Sequence, residues 1–269
     1  MNSDSAPASS LLPAFDILAE GEIHSGMFLL IGPSGSGKTV YSLQFAVNSA
    51  LDGFPVSYFS TERRPSELIH YANTFKWRLE DLQSPENIRL VDCYSSWSGL
   101  EAEGTLSLRS SSLSDIPILI EEAKRRSPFK VFLLDSLTPI LYELKPDMIY
   151  KFVRVLAAKM RKMGVLALFT LQDEVLDTRV VNISRSSFDG VLEMKVVEED
   201  GNLERYFRIH TLRGAQHNPS WTKYAIRPKG ITFGETRRSP LRPVVDQSDY
   251  KEYTQQSWRE KPSSSGIFY

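Results

Sequence analysis

Short apolar runs alternate along the chain with longer segments whose apolar residues recur at helical spacing. A short continuous apolar run is typical of a strand buried on both faces of a sheet, and helical spacing is typical of an amphipathic helix. Strands are therefore predicted at residues 27–31, 56–60, 88–94, 131–134 and 165–171. Helices are predicted at residues 39–51, 65–75, 115–126 and 146–163. This alternation predicts a mostly parallel sheet with helices on both faces.

The pattern changes beyond residue 171. Residues 191–197 and 205–212 are strand-like and flank the turn sequence EEDGN, which predicts an antiparallel hairpin. Residues 221–226 predict a further strand, so antiparallel strands are expected to extend the parallel sheet. The segment before the hairpin, residues 173–187, is predicted to be a loop. Its serines, Ser184, Ser186 and Ser187, are expected to be ordinary loop residues.

One α/β domain is expected over residues 13–234, because the chain shows no internal repeat. A flexible segment rich in Ser and Ala is expected at residues 1–12, and a tail at residues 235–269. The tail contains Trp258 and ends in an Ile-Phe-Tyr sequence. Aromatic residues at a flexible end often dock on a protein, so the tail is either the contact for an unidentified partner or a disordered end.

Composition narrows the class of protein. Hydrophobic residues make up 41% of the 269 residues and charged residues 24%, as in an ordinary soluble domain. The formal net charge is -1, so no dominant basic field indicates nucleic-acid binding. Cys93 is the only cysteine, which excludes an intramolecular disulfide and a cysteine-based zinc site. No apolar stretch reaches the length of a membrane span and the N-terminus does not resemble a signal peptide, so we expect a cytoplasmic protein.

A glycine-rich segment between the first predicted strand and the first predicted helix fits the pattern G-x-x-x-x-G-K-[ST]. In such a loop the glycines turn backbone N–H groups around phosphate oxygens, Lys38 reaches the terminal phosphates and the Thr39 hydroxyl binds Mg²⁺. The alternative is a structural glycine turn without a nucleotide. The residues expected to contact the nucleotide are Gly32, Pro33, Ser34, Gly35, Ser36, Gly37, Lys38, Thr39 and Val40.

Two carboxylates follow predicted strands at the edge where ligands of such sheets bind. Asp135 ends the apolar strand at 131–134 and would hold Mg²⁺, or it caps the turn before Ser136. Glu62 follows the strand at 56–60 and would polarise the attacking water, or it is a surface carboxylate paired with Arg63 or Arg64.

Four segments together resemble the KaiC-like branch of the RecA superfamily, over about residues 20–234. They are GEIHSGMFLLIGPSGSGKTVYSLQF, YFSTERRPSEL, FLLDSLTPI and HTLRGAQHNPSWTKYAIRPKGI, in that order. The resemblance implies a RecA-like fold, with ATP and Mg²⁺ as ligands and a subunit that assembles into a homo-oligomeric, hexameric ring.

The same resemblance implies roles for single residues. Glu62 matches the first Glu of a family pair and would be the catalytic base, whereas Arg63 stands in place of the second. Arg213 matches an Arg that reaches the γ-phosphate of the neighbouring subunit, whereas Thr211 replaces its companion Lys. His217 matches a His near the nucleotide held between subunits. Gln172 follows the strand at 165–171, where RecA-like proteins place a polar γ-phosphate sensor.

These implications favour a slow, Mg²⁺-dependent ATPase with a regulatory or signalling role. Two alternatives stay open: a DNA-repair accessory of the RadA-paralogue kind, and an ATP-gated scaffold that barely hydrolyses ATP. The segment at 173–187 has a summed charge of about -1 and no aromatic residue for base stacking, which is unlike a single-strand groove. The replacements at Arg63 and Thr211 are what support the scaffold alternative.

Overall fold

A mixed sheet of nine strands runs through the chain in our computed structural model, which describes residues 25–104, 106–110 and 112–233. The strands are β1 (Gly26–Gly32), β2 (Val56–Ser60), β3 (Ile88–Asp92), β4 (Val131–Asp135), β5 (Leu166–Gln172), β6 (Gly190–Glu199), β7 (Asn202–Leu212), β8 (Thr222–Arg227) and β9 (Gly230–Phe233). Their order across the sheet is β3-β2-β4-β5-β1-β6-β7-β8-β9. The first six in this order are parallel and the remaining pairs are antiparallel.

Six α-helices and two short 3₁₀ turns connect the described strands. The helices are α1 (Lys38–Leu51), α2 (Pro65–Thr74), α3 (Ile116–Arg126), α4 (Thr138–Glu143), α5 (Pro146–Met163) and α6 (Thr178–Ser187). The 3₁₀ turns are Leu79–Leu82 and Leu113–Asp115. None of the described helices is both long enough and apolar enough to cross a membrane.

The core consists of two apolar layers, one on each face of the sheet. Successive side chains of β1 alternate between them: Phe28 and Leu30 join the layer under α1 and α2, and Leu29 joins the layer under α3 to α6. Strands β2 and β4 are buried along their whole length. This arrangement confirms the predicted α/β class, with a mostly parallel sheet and antiparallel strands at its C-terminal end.

The prediction of a loop at 173–187 is wrong over most of that segment, because α6 occupies Thr178–Ser187. The Asp177 carboxylate accepts a 2.7 Å hydrogen bond from the Arg179 N–H and caps the helix. The serine hydroxyl groups donate hydrogen bonds to carbonyl oxygens of the same helix, as in the 2.9 Å bond from Ser184 Oγ to Val180 O. The predictions for residues 1–12 and 235–269 lie outside the described residues.

Gly190 sets the closest approach between β6 and β1. A Cβ atom at this position would lie 2.5 Å from two ring carbons of Phe28, which is itself buried. We expect Gly190→Ala to lower the free energy of unfolding by about 1–3 kcal/mol through overpacking. Chemical denaturation measures this loss, and the Gly190→Ala/Phe28→Leu double variant is expected to lose less than the sum of the two single variants. Simple additivity would contradict the proposed contact.

Candidate active site

The expected site residues of the parallel strands gather at one edge of the sheet. Parallel register pairs Ser60 with Asp135 and Gly32 with Gln172, so β1, β2, β4 and β5 end side by side. The glycine-rich loop follows β1 and Glu62 follows β2. Ligands of open α/β sheets bind outside these carboxyl ends. The fold therefore brings the loop, Glu62, Asp135 and Gln172 together.

The loop backbone requires its glycines at three places. Gly35 and Gly37 have φ angles of 73° and 93°, which side chains other than glycine rarely adopt. A Cβ atom at Gly32 would lie 2.6 Å from the Met194 carbonyl oxygen of β6. Left-handed backbone of this kind lets successive N–H groups converge on an anion, and α1 begins directly afterwards at Lys38. The loop has the geometry of a phosphate cradle.

Strand β8 braces this loop from behind. The Tyr224 hydroxyl donates a hydrogen bond to the Ser36 carbonyl oxygen, and Ile226 lies so close to Gly37 that a Cβ there would sit 2.7 Å from its Cδ1. Burial raises the pKa of Tyr224, so its hydroxyl keeps its proton. No local pattern in the sequence indicates a role for these residues, because the contact between Tyr224 and Ser36 joins positions 188 residues apart.

Lys38 lies folded across the loop. Its ammonium donates 2.8 Å hydrogen bonds to the carbonyl oxygens of Gly32 and Pro33. Burial lowers the pKa of Lys38 from its ordinary value, and nearby carboxylates partly offset this effect. Those carboxylates belong to Asp135, Glu62, Asp173 and Glu174. One ammonium lies among four carboxylates. A divalent cation bound there would reduce this excess of negative charge.

Two of these acids were not predicted as site residues. Glu174 Oε2 accepts a 3.2 Å hydrogen bond from the backbone N–H of Ser34, so a carboxylate contacts the phosphate cradle itself. Asp173 has a buried Oδ1 without a hydrogen-bond partner among the described residues. Both follow Gln172 directly at the end of β5. That adjacency was the signal that could have identified them.

Asp135 is held by hydroxyl groups on both of its oxygens. Tyr58 of β2 donates to Oδ2 at 2.9 Å, and Thr170 of β5 donates to Oδ1. Asp135 as a whole is only 6% exposed. A turn cap accepts from backbone amides of the residues that follow it, whereas these two bonds come from neighbouring strands. They give the turn-cap alternative no support.

Glu62 is tied to the end of β4. Its Oε1 accepts a hydrogen bond from Ser136 Oγ, and the adjacent Thr61 exchanges 2.7 Å and 2.8 Å hydrogen bonds with the Ser136 backbone. The Asp135–Ser136 peptide bond is cis. This network places the Glu62 carboxylate beside the strand end that carries Asp135.

Within the part of the chain that the structure describes, neither neighbouring arginine forms an ion pair with Glu62. The Arg63 guanidinium lies 5.6 Å from the centre of the Tyr71 ring, and Arg64 forms a 2.8 Å ion pair with Glu103. The alternative of a surface ion pair between Glu62 and these arginines therefore receives no support.

The remaining predicted residues are placed differently. The Val40 side chain is buried in the apolar layer, which leaves its backbone N–H as the group that can face a phosphate. The Gln172 N–H donates to Thr138 Oγ1 at 2.9 Å, which fixes the strand end beside the loop.

Arg213 lies at the opposite edge of the sheet. It follows Leu212, which pairs with Gly190 beside Phe28 near the start of β1. Its guanidinium donates to the Ser186 carbonyl oxygen at 2.7 Å. Seven residues of β1 separate the two edges by about 20 Å at the usual strand rise. Arg213 therefore does not belong to the site of its own chain, and His217 lies on the loop that leaves β7 after it.

The donor set fits Mg²⁺ and a phosphate group. Thr39 and Asp135 offer hard oxygen ligands, which Mg²⁺ prefers. No group of three or more His, Cys, Asp or Glu side chains among the described residues forms a complete metal cage. Mg²⁺ typically takes one or two protein oxygens and completes its shell with water and phosphate oxygens, so a partial donor set is what such a site requires.

Comparison with known proteins agrees with this geometry. The sequence model of the family described as "ATPase: KaiC" matches residues 9–238. A UPF0273 protein of Thermotoga maritima is 26% identical over 226 residues, covering 82% of this chain and 93% of the relative. A circadian clock oscillator protein KaiC of Picosynechococcus is 26% identical over 83% of this chain, which spans 43% of that protein.

A solved structure has the same fold. The KaiC-like protein of the archaeon Pyrococcus horikoshii superimposes with a TM-score of 0.69 at 23% identity, covering 84% of this chain and 97% of the other. Fold, loop geometry and the family match over most of the chain agree. The chain belongs to the KaiC ATPase family.

Proposed function

We propose that the protein binds Mg²⁺-ATP at the carboxyl edge of its sheet and hydrolyses it slowly. The observation that carries this proposal is the convergence of three elements at one edge: the phosphate cradle with Lys38, the buried Asp135 and the tethered Glu62. These are the parts that phosphoryl transfer to water requires.

Each side chain has a separate task in this proposal. Lys38 leaves its contacts with the loop carbonyls and binds the terminal phosphates. Thr39 and Asp135 hold Mg²⁺, which neutralises the charge on the phosphates. Glu62 accepts a proton from the attacking water, and the Ser136 hydroxyl orients its carboxylate.

We expect Glu62→Gln to keep ATP bound and to reduce turnover by about 10²–10⁴-fold, the usual contribution of a general base. The amide cannot take the proton, but its oxygen can still accept the hydrogen bond from Ser136 Oγ. A phosphate-release assay and a nucleotide titration on the same preparation measure the two properties separately.

Glu67→Gln is the matched control for this experiment. Glu67 accepts a 3.1 Å hydrogen bond from the Arg64 N–H at the start of α2, so the control removes the same charge from the same segment. Wild-type turnover is expected for the control. If Glu62→Gln hydrolyses ATP like the wild type, Glu62 is not the base.

We propose further that the subunits assemble into a hexameric ring, in which a neighbouring subunit completes each site. Arg213 supports this, because it lies about 20 Å from its own phosphate cradle and exposed at the other edge of the sheet. The resemblance to the KaiC family implies assembly into a ring, and a trans role for Arg213 and His217 is consistent with that implication. In the same site Gln172 is proposed to sense the γ-phosphate. Light scattering with and without Mg²⁺-ATP measures the assembly.

A regulatory or signalling role is proposed in addition, because nucleotide state would control that assembly. The proposed location is the cytoplasm. The ATP-gated scaffold is the competing function, and Arg63 is the observation that favours it. The guanidinium lies over Tyr71 and supplies no second carboxylate beside Glu62. Multiple turnover supports the ATPase, whereas retention of a single ATP without release of phosphate supports the scaffold.

A further inference from the structure

A chain of buried hydroxyl groups leads from the first turn of α1 to Asp135, one of the two proposed Mg²⁺ ligands. Ser42 Oγ lies 3.1 Å from the carbonyl oxygen of Thr39 and 2.9 Å from the hydroxyl of Tyr58. The Tyr58 hydroxyl donates to Asp135 Oδ2 at 2.9 Å, and Thr170 donates to the other carboxylate oxygen. The chain thus runs from the first turn of α1 through β2 to the end of β4.

The members of this chain are shielded from water. Tyr58 is 0% exposed, and Ser42 and Thr170 are 1% exposed. A buried carboxylate is tolerated only when hydrogen bonds replace its lost water. An ionised Asp135 can only accept, so the single Tyr58 proton points to it. The one Ser42 proton then goes either to the Tyr58 oxygen or to the Thr39 carbonyl oxygen.

Strand register explains why a tyrosine is needed here. Tyr58 pairs with Leu133 on β4, and Asp135 pairs with Ser60, so Tyr58 and Asp135 are diagonal neighbours on one face of the sheet. Only a long side chain spans that diagonal. Phenylalanine would fill the same volume and leave Asp135 Oδ2 without its donor.

We propose that Tyr58 is a positioning residue for Mg²⁺: its hydroxyl fixes the orientation of the Asp135 carboxylate, one of the two proposed metal ligands. This inference rests on the proposed Mg²⁺-ATP function. Hydrogen bonds to a metal-binding carboxylate fix its orientation, and their loss typically costs about 10–100-fold in metal affinity. The hydroxyl contacts neither nucleotide nor metal in this proposal.

The test is the Mg²⁺ dependence of nucleotide binding in Tyr58→Phe. Binding of a fluorescent ATP analogue is titrated at increasing Mg²⁺ and again in EDTA. We expect the Mg²⁺ concentration for half-maximal enhancement to rise about 10–100-fold. Affinity in EDTA should stay at the wild-type value, because the phosphate cradle is untouched. A variant that is merely less stable would lose both.

Two further variants keep the test decisive. Thr170→Val removes the donor of the other Asp135 oxygen and should shift the Mg²⁺ dependence in the same direction. Tyr41→Phe is the matched control, because it removes a hydroxyl from another fully buried tyrosine, whose ring stacks on Phe207 at 5.6 Å. It should follow the wild-type titration.

The outcomes separate this inference from the function on which it rests. If the wild type binds the analogue equally well with Mg²⁺ and with EDTA, the Mg²⁺ part of the proposed function is wrong, and this inference fails with it. If the wild type needs Mg²⁺ but Tyr58→Phe and Thr170→Val both follow its titration, only the positioning role is wrong.

Discussion

ATP affinity is expected to fall by about 30- to 5,000-fold when Lys38 is replaced by alanine. Truncating one partner of a buried, hydrogen-bonded charge pair costs about 2–5 kcal/mol, which corresponds to that range of affinity. Lys38 is the ammonium within the phosphate cradle, and four carboxylates lie around it. Without its charge the terminal phosphates would meet those carboxylates without compensation.

Isothermal titration with ATP and Mg²⁺ measures the effect. Thr39→Ala is expected to weaken binding only when Mg²⁺ is present, because it removes a metal ligand and leaves the ammonium in place. Lys151→Ala, an exposed position on α5, removes the same charge from outside the loop and should bind like the wild type. Unchanged affinity in both Lys38→Ala and Thr39→Ala would overturn the phosphate-loop assignment.

Arg213→Ala is expected to lower turnover by about 10³–10⁵-fold, the contribution of an arginine finger in well-studied cases. A guanidinium offers fixed donors to the charge that builds on the γ-phosphoryl oxygens. Because Thr211 stands where the family carries Lys, Arg213 would supply these donors alone. Its place at the edge opposite the cradle means that it can act only on another subunit.

A mixing experiment tests the trans role directly. Arg213→Ala and Glu62→Gln are each expected to be nearly inactive alone. In mixed assemblies some interfaces pair an intact Glu62 with an intact Arg213, so part of the activity should return. Arg125→Ala, an exposed arginine at the end of α3 and on the same edge as Arg213, is the control and should keep wild-type turnover. No recovery in assemblies shown to be mixed, or full activity in dilute monomers, would contradict the model.

The sequence was informative wherever a signal is local. The glycine pattern before Lys38 and the apolar run before Asp135 each lie within a few residues, so the candidate site could be predicted from them. The fold class followed from the alternation of apolar runs with segments of helical spacing. The contact of Glu174 with Ser34 spans 140 residues, and that of Tyr224 with Ser36 spans 188. No periodicity or motif encodes such pairs, because they depend on which strand ends meet in the folded sheet.

Helix α6 was missed for a different reason. Its first turn carries a local signal, the capping Asp177, but the run of serines that follows it is typical of a loop. Burial of Val180 and Val181 against the sheet outweighs that weak propensity. Tertiary packing, which a single sequence does not reveal, determines that this segment is a helix.

In the proposed trans model, the separation of cradle and guanidinium at opposite edges gives each subunit a direction, with one end that holds the nucleotide and one end that supplies Arg213. A head-to-tail contact between two such ends is heterologous, because the two joined surfaces are different. An open row of subunits, whatever its length, has at one end a phosphate cradle that no Arg213 of a neighbour reaches. Only closing the row into a ring removes that unfinished site. The rate of ATP hydrolysis per subunit should therefore depend on whether the assembly is closed and only weakly on how many subunits it contains.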